Sequence, residues 1–212
     1  MSTIRYTLLS DGSSDRMLMP VIDWLLCQHC PQYAVESDWA DLGRLPLPPK
    51  IMPERIKAAL ELYPCNLLFV HRDAEKESYE TRKAQIIGAL NGLATPPAIC
   101  IIPVRMQEAW LLFDVPAIRR AAGNPNGRIP LVLPALASVE KIPDPKQVLF
   151  DLICTSSEFT GVRLKKLKAN LRSTAHRVPQ NINDYSPLRN VQAFKKLEND
   201  LLAVVQQQGW NL

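Results

Sequence analysis

Hydrophobic positions fall into short unbroken runs separated by longer stretches with helical spacing. Residues 4–9 form a β-prone run that stops at Ser10-Asp11-Gly12. Ser13-Ser14-Asp15 then offers capping groups for a helical face of Met17, Val21, Trp24 and Leu25, with Pro20 marking either a kink or the start of regular helix. Residues 33–40 alternate poorly as a strand, and Leu45-Pro46-Leu47-Pro48-Pro49 reads as an extended loop. Pro53, Ile56, Ala59, Leu60 and Tyr63 predict a helix ending before Pro64. Residues 66–71 and 98–104 are nearly unbroken apolar runs, the kind a parallel strand buried on both faces requires, and a helix is expected between them at 78–93. Beyond about 115, Gly123, Gly127, Pro130, Pro134 and Pro143 punctuate a loop-rich passage leading to helices near 144–155, 162–174 and 187–208.

Strands alternating with amphipathic helices predict an α/β fold with a mostly parallel, Rossmann-like central sheet flanked by helices, because parallel strands need crossovers. The expected division is an α/β core over residues 1–114 and a helical carboxyl-terminal extension over 115–212, packed on the core. A ligand site belongs beyond the carboxyl ends of such strands.

Composition narrows the chemistry. The 212 residues include 18 prolines and only 8 glycines, and the glycines form neither G-x-G-x-x-G nor G-x-x-x-x-G-K-[ST]. Phosphate cradles built of backbone amides are therefore excluded, and any bound phosphate must be met by a cation on carboxylates or by Arg and Lys. Gly12 sits where the first strand is expected to turn sharply beside Asp11. The net charge of +4 divides into −3 over the first 114 residues and +7 over the rest. That division suits a metal site beside a polyanion-binding surface, and equally a solvated basic helix. Five cysteines suggest no even disulfide framework; with no apolar run of about 20 residues and no signal-like start, a cytoplasmic protein without membrane contact is expected. Cys27-Gln28-His29-Cys30 has the spacing of half a zinc site but lacks a second half.

Three acidic clusters each follow an expected strand: Asp11, Asp73 with Glu75, and Glu108. In a parallel sheet all three project toward one edge, which suits a hard divalent cation with oxygen ligands. The bland alternative is a set of turn formers and helix caps. Ser10-Asp11-Gly12-Ser13-Ser14-Asp15 and Asp73-Ala74-Glu75, over residues 4–114, resemble the two acidic motifs of the Toprim family of topoisomerases, primases and overcoming-lysogenization-defect nucleases. The resemblance includes the family's small uncharacterised bacterial members. Here Asp11 stands for a glutamate and Glu75 for an aspartate.

The resemblance, together with the convergence of the three clusters, implies Mg²⁺ or Mn²⁺ as cofactor, with Asp73 and Glu75 as metal ligands, Glu108 as a further ligand or a group supporting the ligands, Asp11 as base or ligand, and Asp11, Asp73 and Glu108 in catalysis. It also implies phosphodiester cleavage of DNA or RNA in bacterial defence or repair, with a protein partner and a homodimer both left open. Arg72 and Arg105 are candidate phosphate contacts, with His71 read as a hydrogen-bonded interior histidine. In the segment 160–172, Leu164, Leu167 and Leu171 form one face, and Arg163, Lys165, Lys166, Lys168 and Arg172 surround it as a candidate nucleic-acid surface. A non-catalytic nucleic-acid-binding or partner-regulating module with a degenerate metal site, and a small phosphatase, remain as alternatives.

Overall fold

The computed structural model describes residues 2–211. Four strands form one all-parallel sheet: β1 (Thr3–Leu9), β2 (Ala34–Trp39), β3 (Leu67–His71) and β4 (Ala98–Ile101), in the order β2-β1-β3-β4. β3, a central strand, and β4, at one edge, carry the two unbroken apolar runs seen in the sequence; all five residues of β3 are buried. The poorly alternating segment becomes the edge strand β2, where Glu36 lies opposite Arg5 and pairs with it at 2.6 Å. An edge strand tolerates such a polar sequence because one of its sides meets solvent.

Alternation along β1 sorts side chains between two layers. Ile4, Tyr6 and Leu8 face α1 (Met19–His29), while Leu9 belongs to the opposite layer with α2 (Met52–Leu62) and α3 (Tyr79–Leu90). From β1 the chain moves outward to β2, then returns past β1 to β3. The direction of winding thus reverses between β1 and β3, and the crevice beyond the strand ends at such a reversal is where open α/β sheets hold ligands.

The carboxyl-terminal half completes the α1 layer with α4 (Val115–Ala121), α5 (Pro145–Ser157), α6 (Gly161–Ala169), α7 (Leu171–Ala175) and α8 (Gln192–Gln208). Phe194, Leu197 and Leu201 of α8 join Ile99 and Ile101 of β4 and Trp110 in one core. Fully burying side chains of this size contributes about 1.5–3 kcal/mol each.

Four expectations need correction. The strand expected over 98–104 ends at Ile101, since Pro103 has no N–H for the ladder. The helix expected over 162–174 is broken into α6 and α7 at Asn170, whose side chain donates to the Lys166 carbonyl at 3.0 Å and so competes with the helical ladder. The helix expected over 187–208 begins as a 3-10 turn, Ser186–Asn190, before α8. Helix α4, capped by Asp114 on the Ala117 N–H, was not expected; it is too short to show a period. Among the described residues no helix is long and apolar enough to cross a membrane.

Candidate active site at the carboxyl edge of the sheet

The crevice at the β1/β3 reversal has a volume of about 310 Å³ and is lined by residues of the two loops that follow these strands and by Arg82 of α3. After β1 the backbone runs through Ser10 and Asp11 into a 3-10 turn, Ser13–Leu18. Gly12, which precedes that turn, has φ −144° and ψ 166°, extended backbone open to any residue. The expected need for glycine is therefore not conformational. What Gly12 contributes is its N–H, donated to Asp15 Oδ2 at 2.9 Å. Asp15 also accepts from Ser14 Oγ at 3.1 Å and from Gln107 Nε2 at 2.9 Å, so it is fixed against the segment that follows β4.

Asp11 takes a different course. Its carboxylate accepts from Arg55 of α2 and, at 3.2 Å, from Arg72 Nε. These two guanidinium groups outweigh the opposing effect of partial burial and hold Asp11 below the usual carboxylate range. Arg72 is therefore spent on Asp11.

His71 closes β3. Its ring is 2% exposed, and Nδ1 donates to the Ile101 carbonyl at 3.0 Å. A carbonyl only accepts, so Nδ1 carries the hydrogen and Nε2 presents a lone pair. That lone pair faces Asp15 Oδ2 at 3.9 Å and Asp73 Oδ1 at 3.7 Å. Burial pushes the His71 pKa down, against the pull of Asp15 and its neighbours, which favours the neutral ring. The interior, hydrogen-bonded histidine expected from the sequence is present, and its second nitrogen also belongs to the acidic cluster.

Asp73 is the most perturbed carboxyl of the edge. Burial, then the charges of Glu108 and Asp15, raise its pKa to about 8, although the backbone N–H of Gln107 pulls the other way. Its buried Oδ1 has no hydrogen-bond partner. Glu108, in the 3-10 turn Gln107–Leu111, is 2% exposed. Lys146 Nζ from the first turn of α5 stands 3.1 Å from Glu108 Oε1, off the line a hydrogen bond needs, so that oxygen keeps an ion pair without a hydrogen bond.

The structure therefore brings Asp73 and Glu108 together with Asp15 and turns Asp11 toward arginines. Glu75 is exposed on the crevice rim with a left-handed φ of 54°. Arg105, at φ 68°, donates to the Glu75 carbonyl at 3.4 Å and makes no pair with Glu108. Such backbone conformations in non-glycine residues store strain and cluster at functional sites. Among the described residues no three His, Cys, Asp or Glu side chains already stand as a metal cage.

The crevice also holds cations that the sequence did not single out. Arg82 is buried, donates to Gln85 Oε1 at 2.9 Å, and keeps an Nε without a partner. Across the β1 turn, a second cavity of about 410 Å³ is lined by Glu108, Lys146, Phe150, Arg172 and His176. Of the basic residues expected to meet nucleic acid in 160–172, Arg172 alone lines this cavity; Arg163, Lys165, Lys166 and Lys168 are exposed on α6 and line neither cavity. Asp15 sits four residues after Asp11 in the same motif, a spacing that was available as a signal. Lys146 and Arg82 had none, because only the packing of α5 and α3 carries them to the edge.

Comparison of the chain with protein-family models, with curated proteins and with solved structures gives no match to any of them.

Proposed function

We propose that the chain is a divalent-cation-dependent phosphodiesterase acting on nucleic acid, with Asp73 and Glu108 at its reaction centre. One observation carries this reading: a partly buried Asp73 carboxyl, with its Oδ1 buried and unpartnered, lies beside Glu108 and Asp15, in the crevice where a doubly wound sheet binds ligands. These three carboxyls, among which Glu108 and Asp15 add to burial in raising the pKa of Asp73, are short of positive charge, which a cation supplies. Their hard oxygens suit Mg²⁺ or Mn²⁺, and Mg²⁺ commonly takes one or two carboxylates and fills its remaining positions with water and substrate phosphate. Asp73, Glu108 and Asp15 would hold the ion, with Glu75 at the rim. When bound, the ion would neutralise phosphate charge and lower the pKa of a coordinated water.

The remaining roles belong to the chain's own groups. His71, held by Ile101 with its Nε2 lone pair turned into the crevice, is suited to accept a proton from a nucleophile. Arg82 and Lys146 stand where a phosphate would meet them, and Arg72 keeps Asp11 occupied at the margin. The Toprim-like motifs around Asp11 and Asp73 point in the same direction.

The test is nicking of supercoiled DNA and cleavage of single-stranded DNA and RNA by purified protein with Mg²⁺ or Mn²⁺. Cleavage that stops in EDTA and in Asp73→Asn is expected. Cleavage unchanged in Asp73→Asn would remove the assignment. A second reading, a nucleic-acid-binding module without turnover, is favoured by the existing Lys146–Glu108 pair, which already offsets one carboxylate; it predicts salt-sensitive binding without divalent ions and no cleavage.

A further inference from the structure

We propose that the second cavity, across the β1 turn from the carboxylates, is a nucleotide subsite that makes the protein selective for single-stranded nucleic acid. The inference rests on the reading above and names its substrate class. Gly12 and Ser14 line both cavities, so the Asp73 crevice and the second cavity adjoin across the turn. The wall of the second cavity includes basic groups, an aromatic ring and the Glu108 carboxylate. Lys146, Arg172 and His176 are cationic or protonatable, and they come from α5, α7 and the residue that follows α7. Phe150, one helical turn beyond Lys146, is half-buried against the core and also lines the cavity.

Basic groups beside an aromatic ring are the pairing that holds single strands, whose backbone is tracked by charge while an unstacked base lies on the ring. In a duplex the bases are already stacked and paired, and none is free for Phe150. The volume of about 410 Å³ is of the size that takes small ligands. Glu108 also lines this wall, where its buried Oε1 is ion-paired with Lys146 Nζ at 3.1 Å and so adjoins both cavities' proposed ligands. A strand with its scissile phosphate at Asp73 would thus lay the neighbouring nucleotide across Ser14, with its phosphate on Arg172 and Lys146 and its base on Phe150.

The test measures binding rather than cleavage. Fluorescent oligothymidylate, oligouridylate and a duplex of equal length are titrated in EDTA into wild type, Arg172→Ala and Phe150→Leu. The leucine keeps apolar volume while removing the ring face, and circular dichroism with a thermal melt checks the fold. Each variant should lose about tenfold for single strands and little for the duplex. Losses equal on single strands and duplex, or no loss in either variant, would overturn the subsite. If wild type binds single strands through Arg172 and Phe150 yet cleaves nothing with Mn²⁺, the proposed function fails and the subsite stands. If wild type cleaves with Mn²⁺ while both variants bind like wild type, the subsite fails and the function stands.

Discussion

Asp11 and Asp73 occupy equivalent places, each just beyond the end of a central parallel strand, and they have opposite electrostatic fates. Asp11 is met by two guanidinium groups and held below the ordinary carboxylate range. Asp73 is met by two other carboxylates and a neutral imidazole, and its pKa rises to about 8. The difference comes from which neighbours the helices supply: α2 carries Arg55 to one loop, whereas the chain after β4 carries Glu108 to the other. A satisfied carboxylate organises structure. An unsatisfied one is a candidate for chemistry, because its cost is removed only when something positive arrives.

The largest effect that would break this contrast belongs to Asp73→Asn. Asp73 has an ordinary pKa of 3.8 when unfolded and about 8 when folded, so the folded protein holds a proton that the unfolded chain releases. Its contribution to stability is full below 3.8 and is lost as pH rises toward 8, by at most about 1.4 kcal/mol per unit. In EDTA the stability advantage of Asp73→Asn over wild type should therefore grow between pH 4 and 8 and level off above. Denaturant melts across that range check it, and a constant gap would show that Asp73 carries no such strain. Asp11→Asn should behave oppositely. It loses a half-exposed ion pair, costs about 1 kcal/mol or less, and reduces cleavage by less than tenfold; a loss matching that of Asp73→Asn would erase the contrast.

Smaller still are two substitutions away from both carboxylates. Lys165→Glu with Lys166→Glu changes only exposed charge on α6. It should flatten the slope of log affinity against log salt by a unit or two, with cleavage at low salt little altered; a collapse of cleavage would place α6 in the reaction. Gly12→Ala should change almost nothing. Its φ is ordinary, and an added Cβ would meet Ser14 Oγ at 3.7 Å and Asp15 Oδ2 at 3.9 Å, both ordinary contacts. A severe loss of activity would mean that substrate approaches the backbone there.

The fold was legible wherever burial imposes a simple pattern. β3 and β4 read as apolar runs because both their faces are covered, and Pro53, Pro64 and Ser78 marked helix ends through backbone rules that act locally. Elements of one or two turns were not legible, because α4 and α7 are shorter than the stretch of several turns over which a helical period shows. Within the site, the acidic residues after strands could be seen as a set. Their division could not, since Arg55 is 44 positions from Asp11 and Lys146 is 38 from Glu108. The break at Asn170 also redirected the basic segment: α6 was left in solvent, while Arg172 on α7 came to the second cavity.

The most direct test of the Asp73 centre is a calorimetric titration of Mn²⁺ at pH 7 in buffers of different ionisation enthalpy, on wild type and Asp73→Asn. A carboxyl with a pKa near 8 is mostly protonated at pH 7 and must give up its proton to become a ligand. Wild type should bind the ion with release of close to one proton, and Asp73→Asn should lose both the release and most of the affinity. Binding of equal strength in the two proteins, or binding by wild type without proton release, would contradict the account.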